Sequence, residues 1–508
     1  MKKIISNEYF WLTIIIIIAA FFRLYNLTIL PPGLYPDEAM NGNNALEALD
    51  TNNFKIFYPE NNGREGFFIN IQAIFVKFLS NYSWALRLPS ALFGLFTILG
   101  IYFLGRELFK NKYIGLLSSF FAATSFWHIN FSRIGFRAIM APFFFVWGIY
   151  FLLASFNKIK EQKSSKLYIL YSAIAGIFYG LGFHSYIAYR ATPLIILIIL
   201  LLYWFQNKEN LFRKKFLFSA FCFLFFTTIV AGPIGLYFLQ NPQDFMGRTT
   251  QISIFNSPTP IKDLTINVLK TVGMFNFVGD YNWRHNYAGR PELFWLVGIL
   301  FLMGIIYGIY CLFKKNKSFT EEKSPFIILF SLFIVAMMPV IISNEGLPHA
   351  LRAILMAPAV FILAGFGGVW LIEKIKSQIS KIKNTIQNSK IINFIIYASL
   401  IIIFSLLIFQ TYYSYFIEWA GNSNVQGAFA ADYAAIAKEI NSLPKERPKY
   451  VIVEANGVDV RGLPMPTQTI MFLTDTFTPE KQKEKNIYYV RPDKIEEIPE
   501  SSYKTTLK

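Results

Sequence analysis

Two cysteines in 508 residues exclude a disulfide-stapled secreted scaffold. A charged fraction of 16% excludes whole-chain disorder and does not suit a soluble enzyme surface. Four histidines are all the chain holds. It also lacks the Gly-x-Gly-x-x-Gly dinucleotide turn, the P-loop, His-Glu-x-x-His and Cys-x-x-Cys, so no nucleotide cofactor is expected. What is abundant is apolar. Hydrophobic residues make up 54% and aromatics 18%, with 54 Phe, 28 Tyr and 9 Trp, and the mean hydropathy is +0.40. Such a composition belongs in a lipid bilayer. On a soluble protein the net charge of +17 would point to nucleic acid; here the location of the charges decides its meaning.

Apolar runs able to cross ~30 Å of hydrocarbon fall near 10–30, 84–104, 113–126, 138–155, 168–183, 191–206, 216–240, 292–313, 325–342, 353–372 and 391–417. The expected architecture is a polytopic α-helical membrane protein of about eleven transmembrane helices, within a range of roughly 10 to 13. One set of alternating loops, at Arg106-Glu107, Lys158–Lys166, Lys208–Lys215, Lys314–Lys323 and Lys374–Lys390, holds about twenty Lys and Arg in about 60 residues. The other set holds about twelve in about 130. The positive-inside rule then places Met1 and Lys2-Lys3 in the cytoplasm and the tail after Ile417 outside, in a multi-pass plasma-membrane protein with no nucleic-acid partner. No small-x-small cleavage site precedes Pro31-Pro32, so the first run reads as an uncleaved helix. Cys222 and Cys311 lie inside spans and read as small buried hydrophobes.

The outward loops are 31–83, 127–137, 184–190, 241–291 and 343–352, and all four histidines, His128, His184, His285 and His349, fall in them. After Pro31-Pro32-Gly33-Leu34-Tyr35-Pro36 come the adjacent carboxylates Asp37 and Glu38, near the membrane surface. A carboxylate there makes a useful general base, although Asp37 would also cap the helix that follows. Arg64-Glu65 sits in the Gly turn of Asn61-Asn62-Gly63-Arg64-Glu65-Gly66, where a local salt bridge is the simplest account. The short loops pair each His with Arg: His128 with Arg133 and Arg137, His184 with Arg190, His349 with Arg352. An interfacial arginine can merely snorkel, but three such loops on one face suit a phosphate held by charge-assisted bonds, from Arg137, Arg190, His349 and Arg352. The stretch Phe277–Asn286 mixes aromatics and polar groups as sugar-binding surfaces do, unless the aromatics form the loop's own small core. Asp280, Tyr281, Trp283 and Arg284, with His128 and His184, are the expected sugar and acceptor contacts.

Asp37-Glu38, the stretch from Leu86-Arg87-Leu88-Pro89-Ser90 to Leu104-Gly105-Arg106, Phe131-Ser132-Arg133-Ile134-Gly135, the 279–286 loop and Pro348-His349-Ala350-Leu351-Arg352-Ala353 together resemble the GT-C superfamily. The likeness lies with its bacterial branch related to protein O-mannosyltransferases (glycosyltransferase family 39) and the lipid A aminoarabinose transferase. It covers roughly residues 1–417. The resemblance implies an inverting, hexosyl- or pentosyl-type glycosyltransferase that takes sugar from a polyprenyl-phosphate donor at the outer leaflet. It implies Asp37 as general base, and Glu65 with His285 as ligands of a divalent metal such as Zn, Mg or Mn. Relatives often carry Asp before the proline that begins the fourth span, where this chain has Ala141-Pro142; Glu38 or Glu65 would have to cover that role.

The acceptor would be a hydroxyl of a protein, lipid or cell-envelope glycan. A transporter or flippase of lipid-linked or anionic sugars is the alternative, although the expected charges cluster at helix ends and not at mid-membrane; a non-catalytic polysaccharide-assembly subunit is a third reading. Residues 1–417 are the expected membrane domain and 418–508 a small α/β extracytoplasmic one. Within the latter, the pattern predicts a helix over 430–440 and strands at 450–453 and 487–490.

Overall fold

The computed structural model describes residues 7–161, 166–246, 253–314, 322–383 and 389–508. Lys2-Lys3, Lys163, Arg248, Lys315 and Lys317 from the charge count lie outside the described residues.

Each of the eleven apolar runs is a helix. In chain order the elements begin with α1 (Glu8–Leu24), α2 (Pro36–Thr51), the strands β1 (Phe57–Tyr58) and β2 (Arg64–Glu65), and α3 (Gly66–Leu79). They continue with α4 (Ser83–Phe109), α5 (Lys112–Ala123), α6 (Phe126–Ser132), α7 (Met140–Lys160), α8 (Leu167–Gly182), α9 (Pro193–Gln206) and α10 (Asn210–Gln240). Then follow α11 (Pro260–Gly273), α12 (Trp295–Phe313), α13 (Ser324–Ile341), α14 (Ala357–Lys383) and α15 (Ser389–Tyr412). Among the described residues, eight helices are long and apolar enough to cross a membrane. The other three runs form α1, α5 and α8, of 17, 12 and 16 residues, short of the ~20 that a full perpendicular crossing takes.

The segment 31–83, expected as an outer loop with a helix over 39–49 capped by Asp37, is mostly helical and holds a second helix, α3. Pro36 at the first helical position starts α2, whose N-terminal turn carries Asp37 and Glu38 where the helix dipole favours negative charge. The polar residues that disguise α2 in the sequence face inward: Asn41, Asn43 and Asn44 are buried. Between α2 and α3, β1 and β2 pair antiparallel, with Phe57 opposite Glu65 and Tyr58 opposite Arg64. A Cβ on Gly66 would collide with the Lys55 carbonyl oxygen, so only glycine lets the hairpin turn directly into α3.

Three buried arginines tie the helix ends together at this end of the bundle. Arg23 donates to the carbonyls of Ala122 and Ala123, at the C-terminus of α5. Arg133 donates to Phe22 and Leu30, and Arg87 to Pro31 and Gly33. Each satisfies carbonyls that a helix end or a proline-rich exit leaves without partners. Cys222 and Cys311 are free and buried, as the sequence suggests.

Beyond α15 a helix, α16 (Ala431–Ser442), and three strands, β3 (Lys449–Val453), β4 (Ile487–Val490) and β5 (Tyr503–Leu507), form a small α/β layer. The central strand β3 pairs parallel with both β4 and β5. A short helix in this region, α17 (Thr467–Thr474), packs on α2. Asn43 donates to the backbone and side-chain oxygens of Gln468, Thr469 donates to the Leu34 carbonyl, and the Phe472 ring lies where a Cβ on Gly42 would sit. The α/β layer therefore caps the end of the bundle that carries Asp37.

Candidate functional site

At the capped end, Asp37 is half-buried and its Oδ1 accepts a bond from Asn61 Nδ2 at 2.7 Å. Asn61 belongs to the turn between β1 and β2, where Asn61, Asn62 and Gly63 all take left-handed backbone angles. Arg64 follows. Its guanidinium donates to Asn41 Oδ1 at 2.8 Å and Asn44 Oδ1 at 2.6 Å, both on α2. Burial, with the like charge of Arg137 second, pushes Arg64 down to about 10, which still leaves it cationic at neutral pH.

Arg64 and Glu65 are not each other's partners. They are neighbours on a strand, so their side chains leave on opposite faces. Glu65 is buried between two other arginines: Arg137 Nε reaches Oε2 at 2.7 Å, and Arg190 reaches Oε1 at 3.1 Å. Arg137 stands over the Tyr186 ring, 5.8 Å from its centre. Arg190 stands over Phe238 and Phe245 at 4.5 and 4.7 Å and also donates to the Phe245 carbonyl. Tyr186, which the sequence reading did not single out, lies within electrostatic reach of Arg137, Glu65 and Arg352, and burial raises its hydroxyl above the ordinary tyrosine range.

The third contribution is the loop 279–292. Asp280 is its hub. Its Oδ1 accepts from the Asn282 amide, and its Oδ2 accepts from the Ala350 amide at 2.8 Å and from His285 Nδ1 at 2.9 Å. His285 and His349 stack with ring centres 4.9 Å apart, and His349 Nδ1 is 3.9 Å from Asp280 Oδ2. Burial, then the neighbouring His285, holds His349 well below the usual imidazole value, so it is neutral. One ligand atom from each of Asp280, His285 and His349 lies within 4.8 Å of the other two, close enough for one cation. Arg284 lies over the ring of Tyr35 at 3.7 Å, the N-cap residue of α2 just before Pro36-Asp37. Tyr281 is exposed, and the Trp283 carbonyl accepts from Trp419.

Several expected site residues do other work. Glu38 is fully buried; Arg87 grips both of its oxygens, at 2.9 and 3.1 Å, and the Gly135 amide donates to Oε2 at 2.7 Å. It holds α2, α4 and the 133–136 turn together and cannot stand in for the acid absent at Ala141, itself fully buried. His128 is also fully buried. Its Nδ1 accepts from Arg23 at 2.9 Å, and burial followed by the Arg23 charge keeps it neutral, so it is a support of the fold and not a sugar contact. His184 donates from Nε2 to the Val230 carbonyl on α10, and its ring edge meets Phe67. The expected Glu65–His285 pairing gives way to the Asp280–His285–His349 group, because both Glu65 oxygens are held by arginine. Arg352 sends its donors to Ser343 Oγ, to the Glu345 carbonyl at 3.0 Å and to the Glu345 carboxylate at 3.2 Å. Sequence reasoning missed Asn61 and the inward asparagines of α2. Asn61 stands two residues before the turn glycine, Gly63, which was the available signal.

No curated protein matches the chain. Residues 67–231 match the family model described as dolichyl-phosphate-mannose-protein mannosyltransferase. Among solved structures, the chain is similar to the oligosaccharyltransferase of Archaeoglobus fulgidus in its apo form, at 15% identity and a TM-score of 0.57. The alignment covers 96% of this chain but 65% of that one, so this chain spans less than two thirds of its length. ArnT from Cupriavidus metallidurans is similar over 94% of this chain and 89% of its own in the apo state, at 12% identity and a TM-score of 0.53. The same protein bound to undecaprenyl phosphate aligns over 95% and 90%, at 14% identity and a TM-score of 0.50. The chain thus has the fold of these membrane glycosyltransferases, and its residues 67–231 match the protein mannosyltransferase family model.

Proposed function

We propose that the chain is an inverting glycosyltransferase that moves a hexose- or pentose-type sugar from a polyprenyl-phosphate donor to a hydroxyl acceptor at the outer face of the plasma membrane. The observation that carries this reading is the convergence, at one end of the bundle, of a half-buried carboxylate, Asp37, with the guanidinium cluster of Arg64, Arg137 and Arg190. ArnT has been captured with undecaprenyl phosphate and the archaeal oligosaccharyltransferase with a dolichol-phosphate and an inhibitory peptide, which supports a lipid phosphate as the donor's anchor here.

In this reading the prenyl tail stays in lipid and the phosphate meets Arg137 and Arg190, where Glu65 fixes both guanidinium planes before the donor arrives. Arg352 and His349 lie on the same side of the site. The acceptor hydroxyl attacks the anomeric carbon from the face opposite the phosphate. Its proton passes to Asp37, the carbon–phosphate oxygen bond breaks, and the leaving phosphate keeps the electron pair. Asn61 holds Oδ1 of Asp37, which leaves Oδ2 to take the acceptor's proton. Tyr281, Trp283 and Arg284, from the 279–292 loop, meet sugar or acceptor in this reading.

Two imidazoles and a carboxylate are the donor set of zinc-type sites. Asp280, His285 and His349 would hold a divalent ion, with His285 oriented by its bond to Asp280. Such an ion would supply positive charge beside the developing phosphate. An archaeal oligosaccharyltransferase structure with zinc and sulfate lends the idea support.

The test is reconstitution in proteoliposomes with a panel of undecaprenyl-phosphate sugars and mixed hydroxyl acceptors. Release of undecaprenyl phosphate coupled to acceptor glycosylation is expected. Movement of a lipid-linked sugar across the bilayer without bond cleavage would replace this reading with the flippase one.

A further inference from the structure

The short hairpin Asp459–Val460 with Leu463–Pro464 turns through Arg461 and Gly462, whose φ values are +56° and +87°. Two consecutive left-handed residues are what a tight type I′ hairpin demands, and its first position favours Asn, Asp or Gly. An arginine there is locally costly. Its side chain explains the choice. Arg461 donates to both oxygens of Glu47, at 2.7 and 2.9 Å, and to Glu60 Oε1 at 2.9 Å, with its guanidinium 4.5 Å above the Phe477 ring.

The two carboxylates belong to different parts of the candidate site. Glu47 is on α2, the helix whose first turn carries Asp37. Glu60 opens the turn that continues through Asn61, Asn62 and Gly63, three left-handed residues in succession. Asn61 bonds to Asp37, and the Glu60 carbonyl accepts from the Gly63 amide and from Arg64 Nε. Three left-handed residues in a row are a sparsely populated backbone that asparagine and glycine tolerate but that packing at the ends of the turn must hold in place. Arg64 is fixed by Asn41 and Asn44; Glu60 is fixed from outside, by the α/β layer.

We propose that Arg461 is a positioning residue, by which the C-terminal α/β layer locks the Glu60–Glu65 turn against α2 and so sets the Asn61–Asp37 contact. This role rests on Asp37 serving as the base of the proposed transfer. A planar fork bonded to three carboxylate oxygens spans both elements at once, which a point-charge lysine cannot reproduce.

Hydrogen–deuterium exchange on the full chain in nanodiscs, with Arg461→Gln, Arg461→Lys and Glu60→Gln, tests the tie without needing turnover. Exchange in residues 57–65 should quicken about tenfold or more in both Gln variants, while β3 keeps its protection. Binding of undecaprenyl phosphate should stay unchanged. The turnover number with the donor active in the sugar panel should fall about tenfold, with partial recovery in Arg461→Lys. Unchanged exchange at 57–65, or quickened exchange with wild-type turnover, would overturn the proposal; so would loss of β3 protection in Glu60→Gln, which would mark a fold defect. A chain inactive across the whole panel would instead remove the functional reading, with the exchange data still deciding whether Arg461 locks the turn.

Discussion

Arg23, Arg87 and Arg133 lie at the same end of the bundle as Arg137 and Arg190, yet their donors end on different partners. The first three are fully buried and spend their bonds on backbone carbonyls, on Glu38 and on a histidine acceptor. The other two retain some exposure, 22% and 17% of the side chain, share one buried carboxylate and stand over aromatic rings. A guanidinium whose fork is filled by carbonyls is finished as a fold element. Arg137, anchored by one carboxylate edge, and Arg190, which adds only the Phe245 carbonyl, keep donors for the phosphate of the proposed donor. The carboxylates divide the same way: Glu38 is enclosed by three donors, whereas Asp37, next to it in sequence, holds one asparagine and stays half-buried.

Substitution should expose this division most strongly within the buried set. Arg87→Ala leaves the Glu38 carboxylate buried without its counterion, and a loss of roughly 3 to 5 kcal/mol in stability is expected, read as lowered thermal stability in detergent. Wild-type stability would place Glu38 in the solvent-facing class. Next comes Asp37→Asn, which should keep the fold and lower transfer by about 10²-fold or more; a folded variant with near-normal turnover would remove Asp37 as the base.

How much of this was legible in the sequence follows from the reach of each partner. Apolar runs announce helices locally, so all eleven appear where expected. Asp37 was legible because a Pro-Asp-Glu helix start carries its own signal. The helix after Asp37 was legible as the stretch its carboxylate would cap; the inward turn of its three asparagines was not, since they are satisfied by Arg64, Gln468 and Gly135, far off in the chain. His128 looked like its sister histidines because its partner, Arg23, lies 105 residues away. Arg64 and Glu65 looked like a pair because adjacency in sequence hides the alternation of a strand. The Asp280–His285–His349 group joined one residue assigned to sugar, one to metal and one to phosphate, which only the docking of the 279–292 loop on Ala350 brings together.

Among the site arginines, Arg137→Ala should weaken undecaprenyl phosphate binding by about 1 to 3 kcal/mol. Arg352→Ala should cost less, because Ser343 and Glu345 already occupy its donors; an equal or larger loss would move the phosphate towards Arg352. The smallest effect concerns His128. Its folded-state value is depressed by burial and then by Arg23, so below about pH 6.5 the unfolded chain binds a proton that the folded chain refuses. Stability should therefore be level above that pH and decline on acidification. His128→Gln should show a shallower acid decline, and identical slopes would contradict the assignment.

Equilibrium binding of undecaprenyl phosphate to the wild-type chain and to Arg137→Ala, in nanodiscs, bears most directly on the claim that the capped end holds a lipid-phosphate donor. Saturable binding weakened about tenfold or more in the variant, with unphosphorylated undecaprenol binding alike to both, is the expected result. Equal affinity of the two proteins for undecaprenyl phosphate would contradict it.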